Sequence, residues 1–462
     1  MQPYYPTSFY GTGECVPSPG LSRRRMLHSG VLSAAGLTLA SRLCAAPTAT
    51  APALPPTGKA KAVIQIWMWG GPSHTDTFDP KPEAGNDYTG PLKKTAQTNA
   101  PGMHIGELLP ELAKLGDKFS IIRSMTHGQN GHETASYLTQ TGRMPGRIVY
   151  PAVGAVVTAF KGFPQNVPVE EQSLIPPYVV LTQPQGRFSE AGFMGIKYKP
   201  FATGGDPNSG RFVVEGIVAP GISDEQQLAR RKLLEQVNTL GRAEGVSAEL
   251  DTLAEARQGA YDLMLGDSGK VFDLSQENEE TRLRYGRTTF GQSCLVARRL
   301  IEQGVKFVTI NYGGWDTHKD HFQSMRRNLP VLDRGMSSLL KDLSDTGLLD
   351  STIVWWTGEF GRTPKVDNGS PWNGGRHHYG RCFSSVVAGG GFRGGMVVGE
   401  SDSKSETVKD RPVYPCDLIG SMYELLGISP EAGLPHPLGE FVRATPGPDE
   451  GLQMGGRLTE IM

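Results

Sequence analysis

The stretch Lys306–His321, KFVTINYGGWDTHKDH, decides the fold. Lys306–Tyr312 is dominated by β-branched and aromatic residues and ends at Gly313-Gly314, the signature of a short buried strand. Helical spacing over Thr281–Gln303 leads straight into it. The same order returns downstream, where Phe322–Leu343 reads as a helix and Thr352–Thr357 as the next strand. Further strand-like runs are Ala62–Trp69, Phe119–Arg123, Tyr178–Thr182, Phe212–Val218 and Ser384–Ala388. Helix-then-strand alternation with continuous apolar strands implies an α/β fold, a mostly parallel central sheet covered by helices on both faces.

Shorter helices are expected at Glu107–Leu115, from Ser223 with its first-turn acids Asp224 and Glu225, and over Ala248–Leu265. Their crowding predicts a helical insert near 223–303 within one domain spanning 61–462. The 46 basic and 47 acidic residues are nearly balanced, which excludes a broad nucleic-acid-binding face. Gly (59) and Pro (34) recur without a period, so ordered loops are expected rather than a repeat. No run reaches the ~20 apolar residues of a membrane span. Past Cys44 only Cys294, Cys382 and Cys416 remain, without CxxC spacing, so neither a disulfide framework nor a zinc knuckle is expected.

Ser22-Arg23-Arg24-Arg25-Met26-Leu27 matches the twin-arginine export pattern, and the uncharged Gly30–Ala40 suits a signal core. Residues 1–46 therefore read as a signal peptide and 47–60 as a linker, with the mature chain outside the cytoplasm. A general secretory signal or an uncleaved anchor is the alternative. Cys44 lacks a lipobox.

Seven of the ten histidines fall in four clusters. These are Gly70–Asp76 (with His74), His127–Glu133 (with His132), Gly313–His321 (with His318 and His321) and Arg376-His377-His378. Three of them directly follow expected strands. In an open α/β sheet, ligands bind beyond the carboxyl ends of the strands. Imidazoles and carboxylates converging there from distant sequence make a metal site. Asp316, His318, His321 and His378 are the leading candidate ligands, with His74, Asp76 and Glu359 beside them. Arg362, in Thr357–Pro364, is placed to hold an anion. Trp67, Trp69, Trp355 and Trp356 read as packing.

The segments GGPSHTDTFDPKP (70–82), NGHETASYLTQTGRMPG (130–146), YGRTTFGQSCLVARRLIEQGVKFVTINYGGWDTH (285–318), TGEFGRTP (357–364) and HHYGRCFSSVVAGGG (377–391) resemble a family of exported bacterial proteins, the domain-of-unknown-function 1501 family. That family is grouped with the alkaline-phosphatase and sulfatase superfamily, whose bimetal site grips an ester while a Ser, Thr or Cys attacks it. On this resemblance Asp316 with His318 or His321 stands for the Asp-x-x-x-His metal pair, though the spacing is two or five instead of four. His378 stands for the third ligand and Glu359 for an aspartate. The first strand lacks the expected acid until Asp76, and the nucleophile position falls on His132.

The resemblance implies a metal-binding hydrolase of phosphate or sulfate esters, holding one or two divalent ions, zinc before others. His132, Glu133 and Arg362 are then candidate catalytic residues. Its substrate would be a small anionic ester or a sulfated or phosphorylated polymer. A non-catalytic surface or complex-forming protein on a degenerate scaffold is the alternative, and a carrier of a cofactor inserted before export is a third.

Overall fold

The computed structural model describes residues 58–163, 175–182, 190–209 and 267–462, with four isolated positions between 226 and 233. The expected signal segment, most of the linker, the Phe212–Val218 strand and the helix at Ala248–Leu265 lie outside the described residues, as does the helix at Ser223 apart from those four positions, which are helical.

The main sheet has eight strands: β1 (Ala62–Trp67), β2 (Phe119–Met125), β3 (Tyr178–Leu181), β4 (Phe201–Ala202), β5 (Phe307–Asn311), β6 (Thr352–Thr357), β7 (Phe383–Ala388) and β8 (Val397–Val398). They lie in the order β8-β2-β7-β6-β1-β5-β3-β4. All neighbours run parallel except β7, which is antiparallel to both β2 and β6. At the centre Ile64 of β1 sits between Val308 of β5 and Val354 of β6.

Every residue of β1 and β6 is buried. Alternation along the strands divides them between two apolar layers. Ile64, Ile66, Val308 and Ile310 pack with helices α4 (Thr289–Glu302) and α5 (His321–Asp345). Val63, Phe307 and Ile353 face the other layer, built from α2 (Val153–Val157) and α6 (Pro415–Leu425). Helices thus cover both faces, as the continuous apolar strands imply. The described residues from Gly58 onward gather into one compact unit. Among the described residues no helix is long and apolar enough to cross a membrane.

Three expected elements differ. The helix expected at Glu107–Leu115 shrinks to one turn, Pro110–Ala113, because Pro110 fits only the first turn of a helix. The helix expected at Thr281–Gln303 divides into α3 (Glu279–Tyr285) and α4 at Gly286, whose φ of 89° no helix continues through. The Thr288 side chain then caps α4 by accepting from Gly291 N. Leu295, Val296 and Leu300 of α4 are core residues, so the last part of the expected 223–303 insert belongs to the scaffold.

Candidate metal centre

The carboxyl ends of β1, β2, β5 and β6 all meet at one edge of the sheet. Because β7 runs the other way, its amino end reaches the same edge and brings His378 there. His378 is fixed by a short antiparallel ribbon, paired with Arg362. His132 is the first residue of α1 (His132–Thr141), which follows β2. Asp316 lies on the loop after β5, close against Gly70: a Cβ on Gly70 would fall 2.3 Å from Asp316 N.

One ligand atom each from His132, Asp316 and His378 lies within 4.8 Å of the others. His132 Nε2 is 3.3 Å from Asp316 Oδ2, and His378 Nε2 is 3.1 Å from Asp316 Oδ1. His318 joins them, with Nε2 3.0 Å from Asp316 Oδ1 and 2.9 Å from His378 Nε2. The Asp316 side chain is 45% exposed, so solutes reach the group.

The outer nitrogens decide what the inner ones do. His378 Nδ1 lies 2.8 Å from the Asn130 carbonyl oxygen, which only accepts, so Nδ1 carries the proton. His132 Nδ1 likewise donates to Glu359 Oε1 at 2.7 Å. His377 Nε2 donates to Asp367 Oδ2 at 3.0 Å, leaving its Nδ1 to accept from His318 Nδ1 at 2.9 Å. In its neutral form, then, each of His132, His318 and His378 turns an Nε2 lone pair toward a carboxylate that itself only accepts. Acceptors facing acceptors at about 3 Å are offset by a cation among them, either a proton on His132 or a divalent ion, and His132, Asp316 and His378 each offer such an ion one ligand atom. Acceptors beyond the ligands that fix each tautomer are a recurrent feature of metal sites.

The electrostatics divide the three imidazoles, two favouring the neutral form and His132 the protonated one. Burial lowers the pKa of His318 and of His378, with Arg362 adding to the effect, so both favour the neutral form a ligand requires. Hydrogen bonds to Asp316 and Glu359 push His132 up to about 9 against burial. Two carboxylates thus call for positive charge at one imidazole. Burial would raise Asp316, but His132 and Arg362 outweigh it and hold the carboxyl well below its usual range. Glu359 is fully buried; its Oε1 also accepts from Gly70 N at 3.0 Å, and its Oε2 has no hydrogen-bond partner among the described residues.

The other sequence candidates take different roles. Arg362 was expected to hold an anion, but it is wholly buried and its donors are committed. Nε donates to Gly71 O at 3.0 Å, Nη1 to Arg376 O at 3.2 Å, and Nη2 to Gly70 O and Asp316 Oδ1. It orients Asp316 instead. His321 and Asp76 form a second, closed group. His321 Nε2 is 2.9 Å from Asp76 Oδ2, its Nδ1 is 2.6 Å from Thr317 Oγ1, and the buried Arg376 pairs with Asp76 at 2.9 Å. Asp76 is therefore neutralised by Arg376. His74 is buried with Nε2 3.0 Å from Ser405 O, outside both groups. Glu133 is exposed in the first turn of α1, where the helix dipole favours an acid. Asn130 and Asp367 were not singled out from the sequence, and His377, grouped there with His378, proves to support His318. Only His377 carried a signal, its adjacency to His378.

The family described as "Protein of unknown function (DUF1501)" matches residues 60–453. The chain belongs to this family. No curated protein sequence matches this DUF1501 chain. Similar solved structures include the lipoteichoic acid synthase LtaP from Listeria monocytogenes (8% identity, 84% of this chain and 75% of that one, TM-score 0.38). A protein in the alkaline phosphatase superfamily from Vibrio parahaemolyticus shares 12% identity over 82% of this chain and 71% of its own, at a TM-score of 0.33. The C-terminal periplasmic domain of EcEptC from Escherichia coli, solved in complex with Zn, shares 9% over 84% and 90%, at 0.33. These are partial overlaps, and the chemistry of the site rests on its own geometry.

Proposed function

We propose that this DUF1501 protein is an exported, metal-dependent hydrolase of phosphate or sulfate esters. The observation that carries the reading is the donor set. His132, His318 and His378 aim Nε2 at Asp316 while Glu359, Asn130 and the His377–Asp367 pair hold their outer nitrogens. A zinc-type ion held there supplies Lewis acidity toward an ester oxygen. Arg362 keeps Asp316 in register, and Glu359 keeps the His132 ring turned inward. With a histidine where the superfamily resemblance places a hydroxyl nucleophile, the attacking oxygen comes from water. It bonds to phosphorus or sulfur, and the alcohol leaves with a proton. Export rests on the Ser22–Leu27 pattern.

Protein purified without chelator should contain about one divalent ion per chain. Asp316→Ala and His378→Ala should lose both the ion and hydrolysis of 4-nitrophenyl phosphate or sulfate. Wild-type protein without a bound ion, and taking up no Zn²⁺ on titration, would end the reading. A second reading, a non-catalytic scaffold, draws on Arg362 at Asp316 and Arg376 at Asp76, since each guanidinium offsets a carboxylate without any ion. It predicts full folding stability in chelator and no ester turnover.

A further inference from the structure

The chain has a formal net charge of -1, yet four of its lysines line one pocket. Lys81, Lys93, Lys94 and Lys404, with Thr75 and Tyr88, line a shallow concavity open to solvent. The pocket is built onto the scaffold of the metal centre. Thr75 precedes Asp76, and the Tyr88 carbonyl accepts from Arg376 Nη2 at 2.6 Å. The Phe322 ring lies against Gly90, where a Cβ would fall 2.2 Å from it, and within 3.6 Å of a Cβ on Gly374. Trp372, two residues before Gly374, is 37% exposed, and its ring stands 5.0 Å from His377 and 6.1 Å from His318. Metal centre, exposed indole and lysine pocket therefore border connected structure.

Two of the lysines are held in place. Lys81 pairs with Asp79 at 3.0 Å, and Lys404 Nζ stands 5.1 Å over the Tyr88 ring. Lys93 and Lys94 are exposed, and no ion pair found among the described residues uses their ammonium groups. Of the acids at hand, only Asp79 is paired with cations among the described residues, while Glu406 and Glu107 accept from neutral donors. Asp79 also faces Arg123 at 3.4 Å and accepts from Ser401 and Ser405, Glu406 accepts from Tyr88 Oη at 3.0 Å, and Glu107 accepts from Lys94 N at 3.2 Å. Like charges gathered in a concavity repel one another, and an anion offsets that repulsion while the cleft focuses its field.

We propose that this pocket binds a sulfate or phosphate group of an anionic polysaccharide whose reacting ester sits at the metal centre, where the exposed Trp372 indole beside His377 offers its face to a sugar ring. The proposal rests on the hydrolase reading for the identity of the reacting ester; the anion site itself does not. The test uses the full chain and fluorescein-labelled dextran sulfate followed by anisotropy. The Lys93→Gln/Lys94→Gln/Lys404→Gln variant should bind it about 10-fold more weakly, with a salt dependence shallower by about two to three ions. Its Zn²⁺ titration should match wild type, and inorganic sulfate should compete only weakly. Unchanged dextran sulfate affinity in the variant overturns the proposal. So does equal wild-type binding of unsulfated dextran, of single-stranded DNA of matched charge, or of inorganic sulfate. Absence of Zn²⁺ uptake by both proteins, with the lysine effect intact, would remove the hydrolase reading and leave the anion site supported.

Discussion

Replacing Asp76 by alanine attacks the closed group that holds the first site loop in place. Arg376 is 0% exposed and Asp76 4%, so neither charge is screened by solvent. Without the carboxylate, Arg376 keeps hydrogen bonds to Thr363 O, Pro364 O and Tyr88 O but loses its counter-charge, while His321 and Ser73 lose an acceptor. Breaking a buried pair from one side costs about 3–5 kcal/mol, and the lost hydrogen bonds are part of that figure rather than additional to it. Urea unfolding with an unchanged m-value should report a loss of that size at pH 7. The pH dependence has a definite sign. Burial would raise the Asp76 pKa, but Arg376 and His321 outweigh it and hold the folded pKa well below the ordinary value. Its stabilisation is therefore present above the unfolded pKa of about 3.9 and fades as pH falls below it. Wild type and variant should differ by a constant amount from pH 8 to about 5 and converge in acid. Asp76→Ala/Arg376→Leu should be less destabilised than Asp76→Ala, because it removes the stranded charge. A loss under about 1 kcal/mol, or a gap that stays flat into acid, would refute the reasoning.

Gly70→Ala should weaken Zn²⁺ binding measured by calorimetry, since its Cβ would meet Asp316 N at 2.3 Å at a φ of 110°; wild-type affinity would mean the loop yields freely. Asp367→Ala frees the His377 ring that sets the His318 tautomer, and should cost about 10- to 100-fold in Zn²⁺ affinity with little change in Tm. Burial pushes Asp333 up to about 6, although it accepts from Glu111 N and Leu112 N. A raised folded pKa means stability is fullest below the unfolded value and declines as pH rises through 6, by at most about 3 kcal/mol; Asp333→Asn should flatten that slope in urea titrations from pH 4 to 7.

The sheet was legible because its strands are buried on both faces. Ala62–Trp67, Phe307–Asn311 and Thr352–Thr357 need apolar residues on both sides, and that demand writes itself into the local sequence. The antiparallel direction of β7 was not, because Phe383–Ala388 is equally apolar whichever way it runs. The helix expected at Glu107–Leu115 failed where periodicity outweighed a proline that should have set its start.

Residue types carried the candidate metal centre only so far. Spacing from Asp316 left His318 and His321 equivalent, and the backbone separates them. Asp320 takes a left-handed φ of 50° as the N-cap of α5, so His321 becomes the first helical residue and turns into the buried group with Asp76. His318 stays on the loop before the helix, facing Asp316. Beyond that choice lies information no single motif holds. A histidine is a usable ligand only once its outer nitrogen has an acceptor, and here the acceptors are a backbone carbonyl at Asn130, a carboxylate at Glu359 and a second imidazole backed by Asp367. These partners sit 248, 227 and 59 residues from the ligands they orient. The ligand set follows from side-chain chemistry, but its protonation state is a property of the folded edge, and that state separates a metal site from a cluster of hydrogen-bonded histidines.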